Sequence, residues 1–281
     1  MGAQRARGEG VNAPGEWLLN LNAERELEGR PPSAALRRRS RERARPLVGL
    51  LVPEGHQARF EGDAPLGTAR AFAWCATPSA VNAFARVGQT LRAPTFEVLR
   101  AVNGRAFATM RFSAGGVRSV YGLEDAEAFP ERPLLLKGSL GFAGREQRRV
   151  DGAFRQDDRA WVERQLRRGP LRVEAFVAID SEYGTPGFIE GTSAIIGEPV
   201  QQWSEGGQWF RSEAARLSDA ERARLRAAAE AVGRALVEAG YFGPFGVDAF
   251  RFGDTWREVS EINARYTMGW AHGWPGGRPD V

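Results

Sequence analysis

The chain of 281 residues contains one cysteine, Cys75, so no disulfide can form within it and a disulfide-framed module is excluded. Long hydrophobic runs are also missing: the longest, Leu47 to Val52, falls far short of the roughly 18 residues of a membrane span. Nothing apolar follows the charged opening Met1 to Arg7, so no secretory leader is expected and the default location is cytoplasmic. His56 and His272 are far apart, which removes zinc-type spacing and leaves both as surface or loop residues. Cys75 has no histidine neighbour and reads as a small buried residue. No internal repeat is evident.

Lysine is nearly absent. Lys137 stands alone, and every other one of the 39 basic residues is arginine. On a solvated surface the two cations are close to equivalent, so the position where lysine survives is the informative one. An ammonium on a flexible stem meets a phosphate as a point charge, which a planar guanidinium fork does not. Chance survival is the alternative. Lys137 ends the apolar, strand-length run Leu134 to Leu136, and Gly138, Gly141 and Gly144 follow at spacing three. Glycines let backbone N–H groups approach an anion without a Cβ in the way. The lysine precedes the glycines, so this is not a P-loop, and a plain hairpin turn stays open.

A second constellation lies between Gly246 and Arg265. Alternating segments flank Gly253-Asp254, which predicts a β-hairpin pairing Phe252 with Thr255 and Asp248 with Val259. Positions 248, 259, 261 and 263 then share a face, with Asp248 diagonal to Glu261 at about 7–8 Å. Two carboxylates and an amide, Asp248, Glu261 and Asn263, make an oxygen set suited to a hard cation beside phosphates. A solvated strand face is the other reading.

Together these residues resemble the ATP-grasp superfamily of carboxylate–amine ligases, over most of the chain. The resemblance implies an α+β / α/β architecture: an ATP-grasp fold of two α+β subdomains clasping ATP, preceded by a small Rossmann-like α/β domain. It implies a tail at 1–14, a pre-ATP-grasp-like domain at 15–97 and an ATP-grasp domain at 98–281, split into a lid part to 160 and a metal-binding part from 161. By the same likeness Lys137, Gly138, Gly141 and Gly144 contact the phosphates of ATP, and Asp248, Glu261 and Asn263 hold Mg2+ or Mn2+. Arg265, ending Glu261-Ile-Asn-Ala-Arg, faces an acyl phosphate or the carboxylate substrate, with Arg211 second to it. Similarity places Gln165 and Leu166 at a backbone hinge reading adenine, with Glu163 nearby and Glu174 on the ribose. Arg105 stands where the family carries a first phosphate-contacting lysine.

The implied activity is ATP-dependent amide or peptide formation between a small-molecule or peptide carboxylate and an amine. A small-molecule kinase using the same site, or a non-catalytic nucleotide- or partner-binding protein, are the alternatives. No membrane partner is expected, and a homo-oligomer stays open. The run Arg37 to Arg45 invites a nucleic-acid partner, but the net charge is only +4 and no binding module accompanies it, so a solvated helix face is the better reading.

Three short strands are expected upstream, at Trp17 to Glu24, Leu47 to Val52 and Ala71 to Pro78, with a helix over Ser79 to Val87. Alternation predicts a further strand from Leu171 to Ile179, with Arg172 and Glu174 on one face. The longest helix starts at a Ser218-to-Glu221 capping box. It carries apolar Leu225, Ala228, Ala229, Val232, Leu236 and Val237, and stops at Gly240.

Overall fold

A computed structural model describes residues 14–30, 32–67, 69–113, 116–141, 146–205 and 208–281. The expected N-terminal tail therefore falls almost wholly outside the described residues, as does Gly144.

The chain begins with β1 (Gly15–Leu19), then helices α1 (Ala23–Leu27), α2 (Ala34–Ala44) and α3 (Val48–Leu51). Strands β2 (Gln57–Phe60) and β3 (Arg70–Ala73) complete a parallel sheet of order β2-β1-β3. The run Leu47 to Val52, expected as a strand, is instead the 3-10 turn Arg45–Leu47 and α3. A short apolar run cannot distinguish a strand from a buried helix by periodicity. Here Pro46 sits where a helical turn begins, and Leu51 is buried in the core. His56, expected at the surface, is only partly exposed and accepts a hydrogen bond from Trp17 Nε1 at 3.0 Å. Cys75 is buried, and burial pushes its thiol pKa up, which suits an inert core residue. Helices α4 (Pro78–Ala85), α5 (Phe96–Asn103) and α6 (Arg105–Phe112) follow.

A four-stranded antiparallel sheet comes next: β4 (Val117–Val120), α7 (Leu123–Glu127), β5 (Leu134–Lys137), β6 (Gln147–Val150), α8 (Gln156–Leu166) and β7 (Leu171–Ala175), in sheet order β4-β7-β5-β6. Alternation sorts its residues. Leu134, Leu136, Leu171 and Val173 turn to one side and pack with Phe129 and Val162 into a core of their own. Lys137 lies opposite Arg172 across the ladder and Leu135 opposite Glu174, so the charged positions take the other face. This unit runs to Ala175, past the boundary expected at 160, because β7 pairs with both β4 and β5.

The last sheet has order β11-β10-β8-β12-β13, with β9 alongside β8. Its strands are β8 (Ser181–Glu190), β9 (Ser193–Ile196), β10 (Val200–Glu205), β11 (Gln208–Ala214), β12 (Gly243–Phe252) and β13 (Thr255–Asn263). Helix α9 (Asp219–Glu238) packs behind them through Leu225, Ala229, Val232 and Leu236. Both halves of the Ser218 capping box form, and Gly240 follows with φ +81. The N-terminal sheet and this sheet share one core, in which Trp17, Leu19 and Phe72 belong with Phe245, Ile262 and Trp270. The Gly/Pro-rich end of the chain backs it, with Tyr266 donating to Asp280 at 2.6 Å.

Candidate functional site

A cleft of about 1080 Å3 opens between the four-stranded sheet, the last sheet and the N-terminal helices. Lys137, Glu174, Asp248, Glu261 and Asn263 all line it. Strand β5 delivers Lys137 to this cavity because its neighbour Leu136 is committed to the core on the opposite face. The Lys137 ammonium pairs with Glu174 Oε1 at 2.6 Å. Glu174 Oε2 accepts from Arg172 Nε and Nη2, at 3.0 and 2.8 Å, and from Arg257 Nη1 at 2.7 Å. Burial works against ionisation of Glu174, yet the facing Lys137, Arg172 and Arg257 outweigh it and hold its pKa at about 2. Burial pulls the Lys137 pKa down, with Glu174 opposing and Arg172 and Arg105 adding to the shift.

Across the cleft, Asp248 lies directly opposite Glu261, not opposite Val259 as expected. A β-bulge between Asp248 and Phe250 shifts the register by two residues, which preserves the shared face. Asn263 Nδ2 donates to Asp248 Oδ2 at 2.7 Å, leaving the amide oxygen of Asn263 free of that bond. Burial, reinforced by Glu261, pushes the Asp248 pKa up to about 7. Among the described residues no group of three or more His, Cys, Asp or Glu could hold a metal. The donors here are two carboxylates and an amide. Such an oxygen set, with two acids repelling one another, fits a hard divalent cation that keeps positions for phosphate oxygens and water.

Buried Arg105 joins the two walls. Its Nη1 donates to the Gly138 carbonyl at 2.7 Å, and Nη2 lies 3.1 Å from the Gly141 carbonyl and 3.4 Å from Glu261 Oε1.

No family model and no curated protein matches the chain by sequence. Solved structures match it by shape. N5-carboxyaminoimidazole synthetase from Staphylococcus aureus, complexed with ADP, has a TM-score of 0.55 at 12% identity, covering 90% of this chain and 71% of that one. N5-carboxyaminoimidazole ribonucleotide synthetase from Thermus thermophilus reaches 0.52 at 21% identity, over 90% and 71%. L-amino acid ligase from Bacillus licheniformis reaches 0.51 at 15% identity, over 92% and 69%. The chain has the ATP-grasp fold.

Within this ATP-grasp fold some expected site residues lie elsewhere. Gln165 and Leu166, expected at the adenine hinge, form the last turn of α8. Gln165 is buried and donates to Glu146, Leu166 packs on the four-stranded sheet's core, and Glu163 sits on the exposed face of α8. The chain that crosses between the two sheets is instead the segment 176–180, and Phe176, Val177 and Ile179 line the cleft. Arg265 lines the cleft too, but its Nη2 is paired with Glu24 Oε1 at 2.7 Å and its guanidinium lies 5.6 Å from the Trp74 ring centroid. Arg211, expected second to it, lies over Trp203 on the outermost hairpin and does not line the cleft.

Sequence reasoning missed Arg257 and, although it singled out the segment from Val102 to Phe107, gave Asn103 no role. Arg257 shares the Glu261 parity on β13, a signal that was present. Asn103 accepts from the Ala264 backbone N–H at 2.9 Å and so anchors the end of β13, a long-range contact with no local signature.

Proposed function

We propose that the protein is an ATP-dependent carboxylate–amine ligase. The observation that carries this reading is that Lys137 and the Asp248, Glu261, Asn263 face line one cleft although they come from different sheets. Similarly folded proteins include an ADP complex and an amino acid ligase, which supports a nucleotide and an amide-forming reaction.

In this reading the adenine rests against the crossing segment 176–180, and Lys137 with the N–H groups of its glycine loop neutralises the triphosphate. Asp248, Glu261 and Asn263 hold Mg2+ or Mn2+, which supplies positive charge to phosphate oxygens when bound. Lys137 leaves Glu174 for the nucleotide, and Arg172 and Arg257 keep that carboxylate paired. A substrate carboxylate oxygen attacks the γ-phosphorus, the bond to the β–γ bridging oxygen breaks, and ADP leaves. The amine nitrogen then attacks the acyl carbon, phosphate departs, and the amine loses its proton. Excluding water from the cleft would keep the acyl phosphate for the amine.

The test is ADP release from Mg·ATP by the purified protein across amino acids and small carboxylates, with products read by mass spectrometry. ADP release that requires both a carboxylate and an amine, with an amide product, is expected. Lys137→Ala should reduce turnover at least about 100-fold, as for loss of a charge-stabilising donor. A stable phosphorylated product formed without an amine would make the site a kinase. Nucleotide binding unaffected by Lys137→Ala would remove the lysine from the assignment.

A further inference from the structure

The arginine run of α2 is not used by the chemistry above, and part of it faces the same cleft. Leu36, Arg39, Ser40, Arg43 and Leu47 line the cavity, at the spacing that puts them on one face of a helical segment. Arg38 and Arg45 fall on the opposite side, and Arg41 pairs with Asp63.

The cations lining the cleft are Arg39, Arg43, Arg105, Lys137 and Arg265. Three of them are held by the protein's own carboxylates: Lys137 by Glu174, Arg105 by Glu261 and Arg265 by Glu24. Among the described residues Arg39 and Arg43 make no ion pair. Glu42, the one acid of α2, makes no ion pair with either of them among the described residues. Between them Ser40 is 3% exposed, and its hydroxyl has no hydrogen-bond partner. A buried hydroxyl without a partner on the wall of a cavity is a bond waiting for a ligand. The volume also leaves room, since about 1080 Å3 exceeds the roughly 300–1,000 Å3 of pockets that hold one small molecule.

We infer that Arg39, Ser40 and Arg43 form an anion subsite for the second substrate, which carries a phosphate monoester or an additional carboxylate besides its reacting group. This rests on the ligase reading for the word substrate, but not for the anion site itself. Guanidinium forks donate to either anion in bidentate geometry, and the hydroxyl between them donates to a third oxygen.

The experiment titrates O-phosphoserine, citrate and, as a monoanion control, acetate into the full chain by calorimetry, with and without saturating Mg·ADP. Wild type is compared with Arg39→Gln/Arg43→Gln and with Arg38→Gln/Arg45→Gln, which removes the same charge from the far side. All three should share one melting temperature, because the four arginines are exposed. The cleft-side pair should weaken the preferred polyanion at least about tenfold, the worth of one charge-assisted hydrogen bond, and the far-side pair less than about twofold. Preference for phosphoserine names a phosphate ester, and preference for citrate a polycarboxylate. Equal weakening by both pairs, no polyanion binding to wild type, or a loss of Mg·ADP affinity confined to Arg39→Gln/Arg43→Gln would overturn the subsite. If Mg·ADP never binds but the polyanion result holds, the ligase reading fails and the anion site stands.

Discussion

At the scale of single residues, the charge network around Glu174 decides most. This carboxylate is 2% exposed and faces three cations, so Glu174→Gln leaves buried charges unmatched. Breaking such a pair costs about 3–5 kcal/mol, which the shift in urea midpoint at pH 7 would measure. The sign with pH follows from its depressed pKa. The folded carboxyl titrates near 2 and the unfolded one near 4.5, so its contribution is complete above pH 4.5 and is lost as pH falls toward 2. Wild type and variant should therefore converge in acid, and a constant gap down to pH 3 would contradict the network. On the opposite wall, Asp248→Ala or Glu261→Ala should reduce Mg2+-dependent turnover by more than about 100-fold, exceeding the loss of an outer partner.

At the scale of elements, the root of the glycine loop is the sensitive point. A Cβ on Gly138 would sit 2.9 Å from Gln165 Oε1 and 3.2 Å from Glu146 Cβ. Gln165 is tied to Glu146, so it yields only by disturbing the loop. Gly138→Ala should therefore destabilise the protein by roughly 1–3 kcal/mol, the range of a tight overpacking, read as a shift in urea midpoint. Adding Gln165→Ala should restore much of the stability, and a double variant as poor as the single one would show that the Gln165 contact is not the cause. The β5 strand, the α9 cap and the Gly253 turn were all legible, because each is written in a few adjacent residues. The crossing between the two sheets was not. Gln165-Leu166 and the segment 176–180 both end a periodic stretch, and which of them crosses between sheets depends on β7 pairing with two neighbours.

At the scale of the whole molecule, the distribution of cores sets what can move. The four-stranded sheet has its own core, whereas the N-terminal sheet and the last sheet share one. Separate cores joined across a polar cleft favour rigid-body closure over internal rearrangement. Small-angle scattering should show a smaller radius of gyration once Mg·ADP is added, with the Lys137→Ala variant unchanged. An invariant radius in the wild type would mean that the clasp is already shut, with Arg105 spanning the Gly138 carbonyl and Glu261 as the bridge.

What the amino-acid order determined alone is local: a lone lysine at a strand end, glycines behind it, an acid and an amide two residues apart, and an amphipathic helix with its cap. Strand alternation and capping act within a few residues, so composition and spacing suffice to read them. The tertiary structure alone decided that Lys137 is held by Glu174, that Arg265 is claimed by Glu24, and that Arg39 and Arg43 face the cleft. Each of these pairs residues distant in the chain, and only the closing of a common core brings such side chains within a few ångströms.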